Sequence, residues 1–190
     1  MEKDKLGNKL LLKNKTKIGI LGGTFDPAHI GHVKISKEAK RRFALKKVIW
    51  AVTKKNPFKK KTNKNLKERI LYAKKINIKN KFIKIVFFED KIKSNRTIDL
   101  LKYLKKKNKN YKIYFIMGAD NLINFHKWKN HKEISSKCTI LVFDRNKYKA
   151  KSQKSVSYRK FFNKGLEFIN IKKINISSSQ LRKNLIIKNQ

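Results

Sequence analysis

Cysteine is almost absent from this chain of 190 residues, because Cys138 is the only one. A single cysteine cannot form an intramolecular disulfide, so the fold must depend on its packed core. This cysteine usage predicts a reduced, cytoplasmic protein. The sequence also contains no Cys/His spacing of the kind that holds structural zinc, so no metal ligated by the protein itself is predicted.

Long apolar stretches are missing as well. No run of 18 or more apolar residues occurs, so no membrane-spanning helix is expected. The apolar cluster near the start, residues 10–12, is too short for the core of a signal peptide. Hydrophobic residues still make up 39% of the chain, and a chain of this length can bury roughly 70% of its unfolded surface. Residues 1–16 are polar and rich in Lys and Asn, and we predict that they form a disordered tail. A single domain is predicted over residues 17–190.

Acidic residues are scarce: 12 Asp and Glu oppose 52 Lys and Arg, which gives a net charge of +40. Of the basic residues 45 are Lys and only 7 are Arg, and the lysines are spread along the whole chain. Base readout and bidentate phosphate contacts favour Arg, whose planar fork Lys lacks. Compositional drift and selection for polyanion binding both remain open as explanations. We expect nucleic acid to bind only through non-specific electrostatic attraction, and phosphorylated ligands to be attracted in a salt-dependent way.

Short apolar runs alternate with helical patterns after the tail. Strands are predicted at residues 17–21, 47–53, 82–88, 112–117, 138–143 and 166–174. Helices are predicted at residues 31–43, 66–76, 97–105 and 120–125, and from residue 178 onward. Strands that are apolar on both faces and alternate with helices are typical of a parallel sheet covered on both sides. The predicted fold class is α/β, with a doubly wound, mainly parallel sheet.

Rare residues concentrate directly after the first predicted strand. Four of the seven glycines and two of the four histidines lie within residues 19–32. We expect Gly22 and Gly23 to let the backbone turn sharply and approach a phosphate without a Cβ in the way. His29 and His32 are three residues apart, so on the first turn of a helix their imidazoles would face the same side. Such a pair, next to helix N-terminal amides, predicts a phosphate-binding site.

Two motifs carry a resemblance to a known family. Residues 22–32 read G-G-T-F-D-P-A-H-I-G-H and residues 176–182 read I-S-S-S-Q-L-R. Together they resemble the nicotinate-nucleotide adenylyltransferases, members of the nucleotidyltransferase superfamily with an H-x-G-H phosphate motif and a Rossmann-like fold. The second motif matches the family's I-S-S-T-x-I-R, with the hydroxyl retained at Ser179.

Three shorter matches lie between those motifs, in the family's order. Residues 118–122 (G-A-D-N-L), with Trp128 downstream, resemble its G-x-D-x-L…W element. Residues 56–59 resemble its N-P-x-K loop, and residues 97–99 resemble its T-x-D helix start. Leu100 and Arg96 depart from the family, which usually has a second Thr and often an aromatic residue at those places.

The resemblance implies transfer of the adenylyl group of ATP to nicotinate mononucleotide, giving deamido-NAD and pyrophosphate in NAD biosynthesis. It implies catalytic roles for His29, His32 and Arg182, and Mg²⁺ accompanying ATP. The ATP-binding residues it implies are Gly22, Gly23, Thr24, Phe25, His29, His32, Gly118, Asp120, Ile176, Ser177, Ser179 and Arg182. The mononucleotide-binding residues it implies are Asn56, Lys59, Thr97, Trp128 and Arg145.

Structural interpretations stand beside several of these roles. Asp120 could be a helix N-cap, Trp128 a core residue, Arg145 part of an ion pair and Arg182 a solvated helix residue. Asp26 is expected to stabilise the glycine-rich turn through local hydrogen bonds.

Other functions remain open from the sequence. The acceptor could be nicotinamide mononucleotide or phosphopantetheine. The chain could also be a nucleic-acid-binding protein on an inactive scaffold, which would bind duplexes with a steep salt dependence and without turnover. The partners expected are ATP and nicotinate mononucleotide, with no membrane and a homo-oligomer as an open possibility.

Overall fold

The computed structural model describes residues 15–55, 62–144 and 148–171. Within them six strands form one parallel sheet in the order β3-β2-β1-β4-β5-β6. The strands are β1 Thr16–Gly23, β2 Lys47–Val52, β3 Ile83–Phe87, β4 Tyr111–Gly118, β5 Thr139–Phe143 and β6 Leu166–Ile169. The predicted doubly wound parallel sheet is confirmed. The final predicted strand ends earlier than expected, at Ile169.

The described helices connect these strands. They are α1 Ile30–Phe43, α2 Leu66–Lys75, α3 Glu89–Ile92, α4 Thr97–Lys107, α5 Ala119–Leu122, α6 His131–Lys137, α7 Lys149–Gln153 and α8 Val156–Phe161. The helices predicted at 31–43, 66–76 and 97–105 are confirmed to within two residues. The one predicted at 120–125 is instead α5 followed by a 3₁₀ turn, Phe125–Lys127. The helix predicted from residue 178 lies outside the described residues.

Four short helices, α3, α6, α7 and α8, have no counterpart in the sequence prediction. Each has four to seven residues, which is too short for a period of 3.6 residues to stand out. No helix in the described ranges is both long and apolar enough to cross a bilayer.

The chain reverses its winding direction beside the central strand β1. From β1 it continues to β2 and β3 on one side, and then crosses back to β4 on the other. In such sheets a ligand crevice forms where the strand order reverses, at the carboxyl ends of the strands. We call the end of the sheet where the carboxyl ends of the parallel strands lie the carboxyl edge.

The crevice is visible in the register of the central strands. Pairing of β1 with β4 runs as far as Leu21 opposite Ile116. Pairing of β1 with β2 continues two residues further, to Gly23 opposite Val52. The last two residues of β1 are therefore held by β2 alone, which opens the sheet between β1 and β4 at the carboxyl edge.

Two apolar layers cover the sheet, as its alternating side chains require. Ile20 and Phe115 lie in one layer with Leu101 of α4. Leu21 and Ile116 lie in the other with Val33 of α1. In α2, Leu71 is 65% exposed, because only one side of that helix meets the sheet.

Candidate active site

The turn that follows β1 lies beyond its glycines. Gly22 and Gly23 are the last two residues of the strand, so the prediction of a sharp turn at this pair is wrong. The chain turns at Phe25, whose φ of 49° is left-handed, and at the cis peptide bond between Asp26 and Pro27. A Cβ on Gly22 would meet Phe115 at 3.7 Å, an ordinary contact. Internal packing therefore does not require glycine there, and its approach to a phosphate stays a prediction.

His29 and His32 cap the N-terminus of α1 through one ring nitrogen each. The Nδ1 atom of His29 accepts from the backbone N–H of Gly31 at 3.1 Å. The Nδ1 atom of His32 accepts from the backbone N–H of His29 at 3.2 Å. The two ring centroids are 3.8 Å apart, which confirms the expectation that both imidazoles share one side of the helix.

This hydrogen bonding fixes the chemistry of both rings. An Nδ1 atom that accepts a hydrogen bond carries no proton, so the proton of a neutral imidazole must be on Nε2. The pattern therefore assigns the Nε2–H tautomer to His29 and His32. Each ring is then a hydrogen-bond donor at Nε2 without carrying a full charge.

Two aromatic side chains pack against the His32 ring. Its centroid lies 5.0 Å from that of Phe25 and 5.7 Å from that of Trp50. Phe25 and Trp50 stack on each other at 4.8 Å. Trp50 also donates to the Ser36 hydroxyl at 2.9 Å, and that hydroxyl donates to the His32 carbonyl at 2.8 Å. Sequence reasoning missed Trp50 and Ser36, although a Trp within a buried strand needs a hydrogen-bond partner.

Asp26 ties the turn to a distant segment. Its carboxylate accepts from the backbone N–H groups of Asn63 at 2.7 Å and Lys64 at 3.3 Å. The expectation placed Asp26 in local hydrogen bonds, whereas these connect it to the segment just before α2. The side chain is 2% exposed, so the two loops are joined in the interior.

Arg69, on the first turn of α2, completes this connection. Its guanidinium donates to the backbone carbonyls of Thr24, Thr53, Lys54 and Lys64. These carbonyls belong to the segments that follow β1 and β2 and to the segment before α2. Burial lowers the pKa of the Arg69 guanidinium from its ordinary value, while the charges of Asp26 and Glu89 oppose this effect.

Arg69 is a residue that sequence reasoning missed. It is 2% exposed, and it is one of only seven arginines in a chain with 45 lysines. The planar fork of Arg can hold several carbonyls at once, which an ammonium cannot do in the same way. The rarity of arginine in this chain was the sequence signal that could have identified Arg69.

The segment after β4 brings Gly118 and Asp120 to the carboxyl edge. Gly118 is the N-cap of α5 and Asp120 lies in its first turn, so the alternative that Asp120 is an N-cap is wrong. The next strand, β5, is followed by Asp144. Its Oδ1 atom is buried and accepts no hydrogen bond from any residue in the described part of the chain. Asp144 is thus a second acidic side chain near the crevice that had no assigned role.

A polar cleft of about 680 Å³ lies after β2 and β3 at the same edge. Arg96 and Asp99 line it on either side of Thr97, the first residue of α4. The Ser94 hydroxyl donates to Asp99 at 2.6 Å and accepts from the backbone N–H of Arg96 at 3.1 Å. The departure at Leu100 has a structural reason, because this residue is 8% exposed and lies in the apolar layer.

Two residues of this cleft carry perturbed pKa values. Burial raises the pKa of the Glu89 carboxyl, and a hydrogen bond from the backbone N–H of Lys54 opposes the shift. The carboxylate of Asp90, which lies 2.8 Å from the Lys54 ammonium, raises the pKa of that lysine.

Trp128 is half-buried and packs edge-on against Phe115 and Phe125, at 6.0 and 5.5 Å between centroids. It therefore contributes to the core, and its stacking on a pyridine ring stays a prediction. The remaining predicted site residues lie outside the described residues: Asn56, Lys59, Arg145, Ile176, Ser177, Ser179 and Arg182.

Comparison with known proteins places this geometry in a family. A family model described as cytidylyltransferase-like matches residues 20–184. A relative from Pelagibacter ubique, named probable nicotinate-nucleotide adenylyltransferase, is 63% identical over 173 residues, covering 91% of this chain and 96% of the relative. The chain belongs to the nicotinate-nucleotide adenylyltransferase family. A further family member, from Rhizobium meliloti, is 36% identical over 67% of this chain and 68% of its own length.

A solved structure agrees with the fold of this family member. The nicotinic acid mononucleotide adenylyltransferase of Plasmodium falciparum, complexed with NaAD, matches with a TM-score of 0.72. It is 24% identical, and the match covers 88% of this chain and 83% of that protein. At this identity the likeness concerns the fold alone.

The hydrogen-bonding groups of the site determine which charge it can hold. At the turn after β1 the donors that suit an anion are the imidazole N–H groups, because the backbone N–H groups of His29 and Gly31 already donate to the two rings. No group of three His, Cys, Asp or Glu side chains within the described ranges could hold a metal ion. The imidazole donors at this turn fit an anionic ligand such as a phosphate.

Proposed function

We propose that this chain transfers the adenylyl group of ATP to nicotinate mononucleotide, forming deamido-NAD and releasing pyrophosphate. The observation that carries the proposal is the pair His29 and His32. Both accept a backbone N–H at Nδ1 at the start of α1, which assigns their proton to Nε2, and both lie within the motif that the family shares. They lie directly after the strand that opens onto the crevice.

The chemistry needs no nucleophile from the protein. The 5′-phosphate oxygen of the mononucleotide attacks the α-phosphorus of ATP in line. One P–O bond forms while the bond from the α-phosphorus to the bridging oxygen breaks, and the electron pair leaves with pyrophosphate. The enzyme must therefore align the two phosphates and stabilise the negative charge on the reacting oxygens.

Each set of residues has a part in this proposal. Imidazole donors at His29 and His32 bind the ATP phosphates, with His32 at the α-phosphate. Ser179 and Arg182 bind the β- and γ-phosphates, with Ile176 and Ser177 beside them. Main-chain atoms of residues 22–25 line the nucleotide, while Gly118 and Asp120 approach it from β4.

The mononucleotide lies on the other side of the crevice in this proposal. Thr97 and Trp128 contact it from the described part of the chain, and Asn56, Lys59 and Arg145 from outside that part. Mg²⁺ would be held by ATP oxygens and water, and it would neutralise phosphate charge. A cytoplasmic location and a possible homo-oligomer remain predictions.

The test is pyrophosphate release from ATP and Mg²⁺ at moderate salt. Nicotinate mononucleotide, nicotinamide mononucleotide and phosphopantetheine are offered in separate reactions. We expect release with the nicotinate compound. Release with only another acceptor would support adenylyl transfer but contradict the assignment of nicotinate mononucleotide as the acceptor. If folded protein released no pyrophosphate with any of the three compounds, the result would favour a nucleic-acid-binding protein on an inactive scaffold.

A further inference from the structure

The fold separates charge along the direction of the strands. All six strands start at one edge of the sheet, which we call the amino edge, and the helices that connect parallel strands end there. The last turns of α1, α2 and α4 consist of Lys and Arg at residues 40–42, 74–75 and 105–107. Lys17, Lys47 and Lys112 lie at the starts of β1, β2 and β4.

Acidic residues lie mostly at the opposite edge. Ten of the chain's acidic residues fall in its described part, and eight of them follow a strand or lie in a first helical turn: Asp26, Glu68, Glu89, Asp90, Asp99, Asp120, Glu133 and Asp144. Of the other two, Glu38 is paired with Arg41 and Arg42. Glu167 lies in β6. The amino edge therefore has a strong excess of positive charge.

A cleft of about 620 Å³ lies between α4 and the outermost strand β3, and it runs along that strand from Ile83 near the amino edge to Phe88. Its floor is apolar and includes Ile49 and Leu104. Two tyrosines and four lysines surround that floor: Tyr103, Tyr111, Lys47, Lys74, Lys84 and Lys107. None of the described residues that line the cleft is acidic.

Rings and ammonium groups are paired inside the cleft. The ammonium of Lys47 lies 5.4 Å from the ring centroid of Tyr111, and that of Lys107 lies 6.0 Å from the ring centroid of Tyr103. Phe88 packs edge-on against Tyr103 at 6.0 Å and so fixes that ring. Each pair places a positive charge over an aromatic ring that is partly buried against the apolar layer.

Nucleic-acid single strands present the complementary chemistry, a base next to a phosphate. Proteins that bind single strands without sequence preference combine a positive groove with aromatic side chains on which bases stack. Contacts from Lys to phosphates hold a nucleic acid without reading its sequence, which agrees with the few arginines of this chain. A second copy of the chain that presented its own amino edge would bring the same charge to the cleft and be repelled.

We propose that the amino edge, centred on the cleft lined by Tyr103, Tyr111 and the four lysines, binds single-stranded nucleic acid without sequence preference. This surface lies at the opposite edge of the sheet from His29 and His32. Binding there is therefore independent of the proposed adenylyl transfer, and each activity can be measured without the other.

Fluorescence anisotropy with a labelled 12-nucleotide oligothymidylate tests the proposal on the full chain, between 50 and 200 mM salt. The double variant Lys84→Gln/Lys107→Gln removes two charges from the cleft, and both side chains are exposed. We expect it to weaken binding about tenfold, and to reduce the slope of log affinity against log salt by about 0.7 for each lost phosphate contact. Tyr103→Leu should weaken binding about fivefold or more by removing a stacking surface.

The matched control is Lys129→Gln/Lys132→Gln, which removes the same charge from exposed positions outside the cleft. We expect it to change affinity less than twofold. An equal loss in both double variants would overturn the proposal in favour of diffuse attraction. Equal affinity for duplex DNA, or cleft-dependent binding of phosphatidylglycerol vesicles without oligonucleotide binding, would also overturn it. Pyrophosphate release measured on the same variants should be unchanged.

Discussion

Two loops at the carboxyl edge differ sharply in how they are held. The loop after β1 is largely buried, with Phe25 and Asp26 each 2% exposed and Ala28 fully covered. The loop after β3 is mostly exposed. In the described structure it is held by the Ser94 hydroxyl, between Asp99 and Arg96, and by exposed contacts of Glu89 and Asp90 with Lys54. The first loop carries groups that must be aligned before the reaction, since preorganised donors lower the barrier. The second borders an open cleft, which suits a part of the site that selects between acceptors.

The largest effect should come from His32 in the buried loop. We expect His32→Ala to lower turnover about 10²- to 10³-fold, because one preorganised donor to the transferring phosphate is lost. Melting temperature should fall by only a few degrees, since a lost cap costs about 1 kcal/mol. Pyrophosphate release and a thermal melt give the two numbers.

His32→Asn is the matched control. Its side-chain oxygen can accept from the backbone N–H of His29, so the cap should be retained while turnover stays low. If stability fell as steeply as turnover in both variants, His32 would be a structural residue, and the contrast between the loops would lose its catalytic meaning.

Arg69 should rank second, because it fixes the buried loop. Arg69→Met leaves four backbone carbonyls without their donor, so we expect a loss of about 3 kcal/mol in the free energy of unfolding. For a chain of this size that lowers the melting temperature by roughly 6–12 °C. Arg41→Met is the control, since Arg41 is 69% exposed in an ion pair with Glu38, and solvent screening should make its effect on the melting temperature far smaller. Similar losses in both variants would contradict the role of Arg69.

Ser94 tests the exposed loop. Removal of its hydroxyl frees Asp99 and the N-terminus of α4, at a cost of about 1 kcal/mol for the hydrogen bonds lost. We expect Ser94→Ala to raise the KM for nicotinate mononucleotide about fivefold with kcat nearly unchanged. The control, Ser135→Ala, removes a hydroxyl that bonds within its own helix and should leave both constants unchanged. A fall in kcat without a change in KM would break the distinction between the two loops.

The smallest effect lies outside both loops, at Glu38. Hydrogen bonds from Arg41 and Arg42 lower the pKa of its carboxyl from 4.5 to about 2. A lowered pKa stabilises the folded state above about pH 4.5, and this contribution is lost as pH falls toward 2. Because both arginines are well exposed, we expect only about 0.5 kcal/mol. The free energy of unfolding, measured in urea, should be lower for Glu38→Gln than for the wild type at pH 6, and the two should be equal near pH 2.

The fold was predictable where the sequence has strong periodicity. Strand β2 and helices α1 and α4 stand close to their predicted bounds because apolar residues recur there at strand or helix spacing. The short helices were missed, because neighbours in space rather than local pattern determine them. Leu71 fits the apolar spacing of α2, yet it is 65% exposed in the described structure.

The site was predictable only where residues adjacent in sequence act together. His29 and His32 lie on one helical turn, so their spacing alone put them side by side. Arg69 and Trp50 act on residues far away in sequence: Arg69 bonds Thr24, 45 positions distant, and Trp50 bonds Ser36, 14 positions distant. Such contacts follow from the sheet order, which no local pattern contains.

The central place of β1 also determines the order in which the chain can fold during synthesis. One side of β1 can pair as soon as β2 is made, whereas its other side must wait for β4. The end of β4 lies ~95 residues after the end of β1. At common rates of 5–20 residues per second, this stretch takes roughly 5–20 s to synthesise. Throughout that time an apolar strand edge is exposed to other chains. Slower translation between residues 24 and 110 should therefore increase aggregation more than slower translation after residue 118.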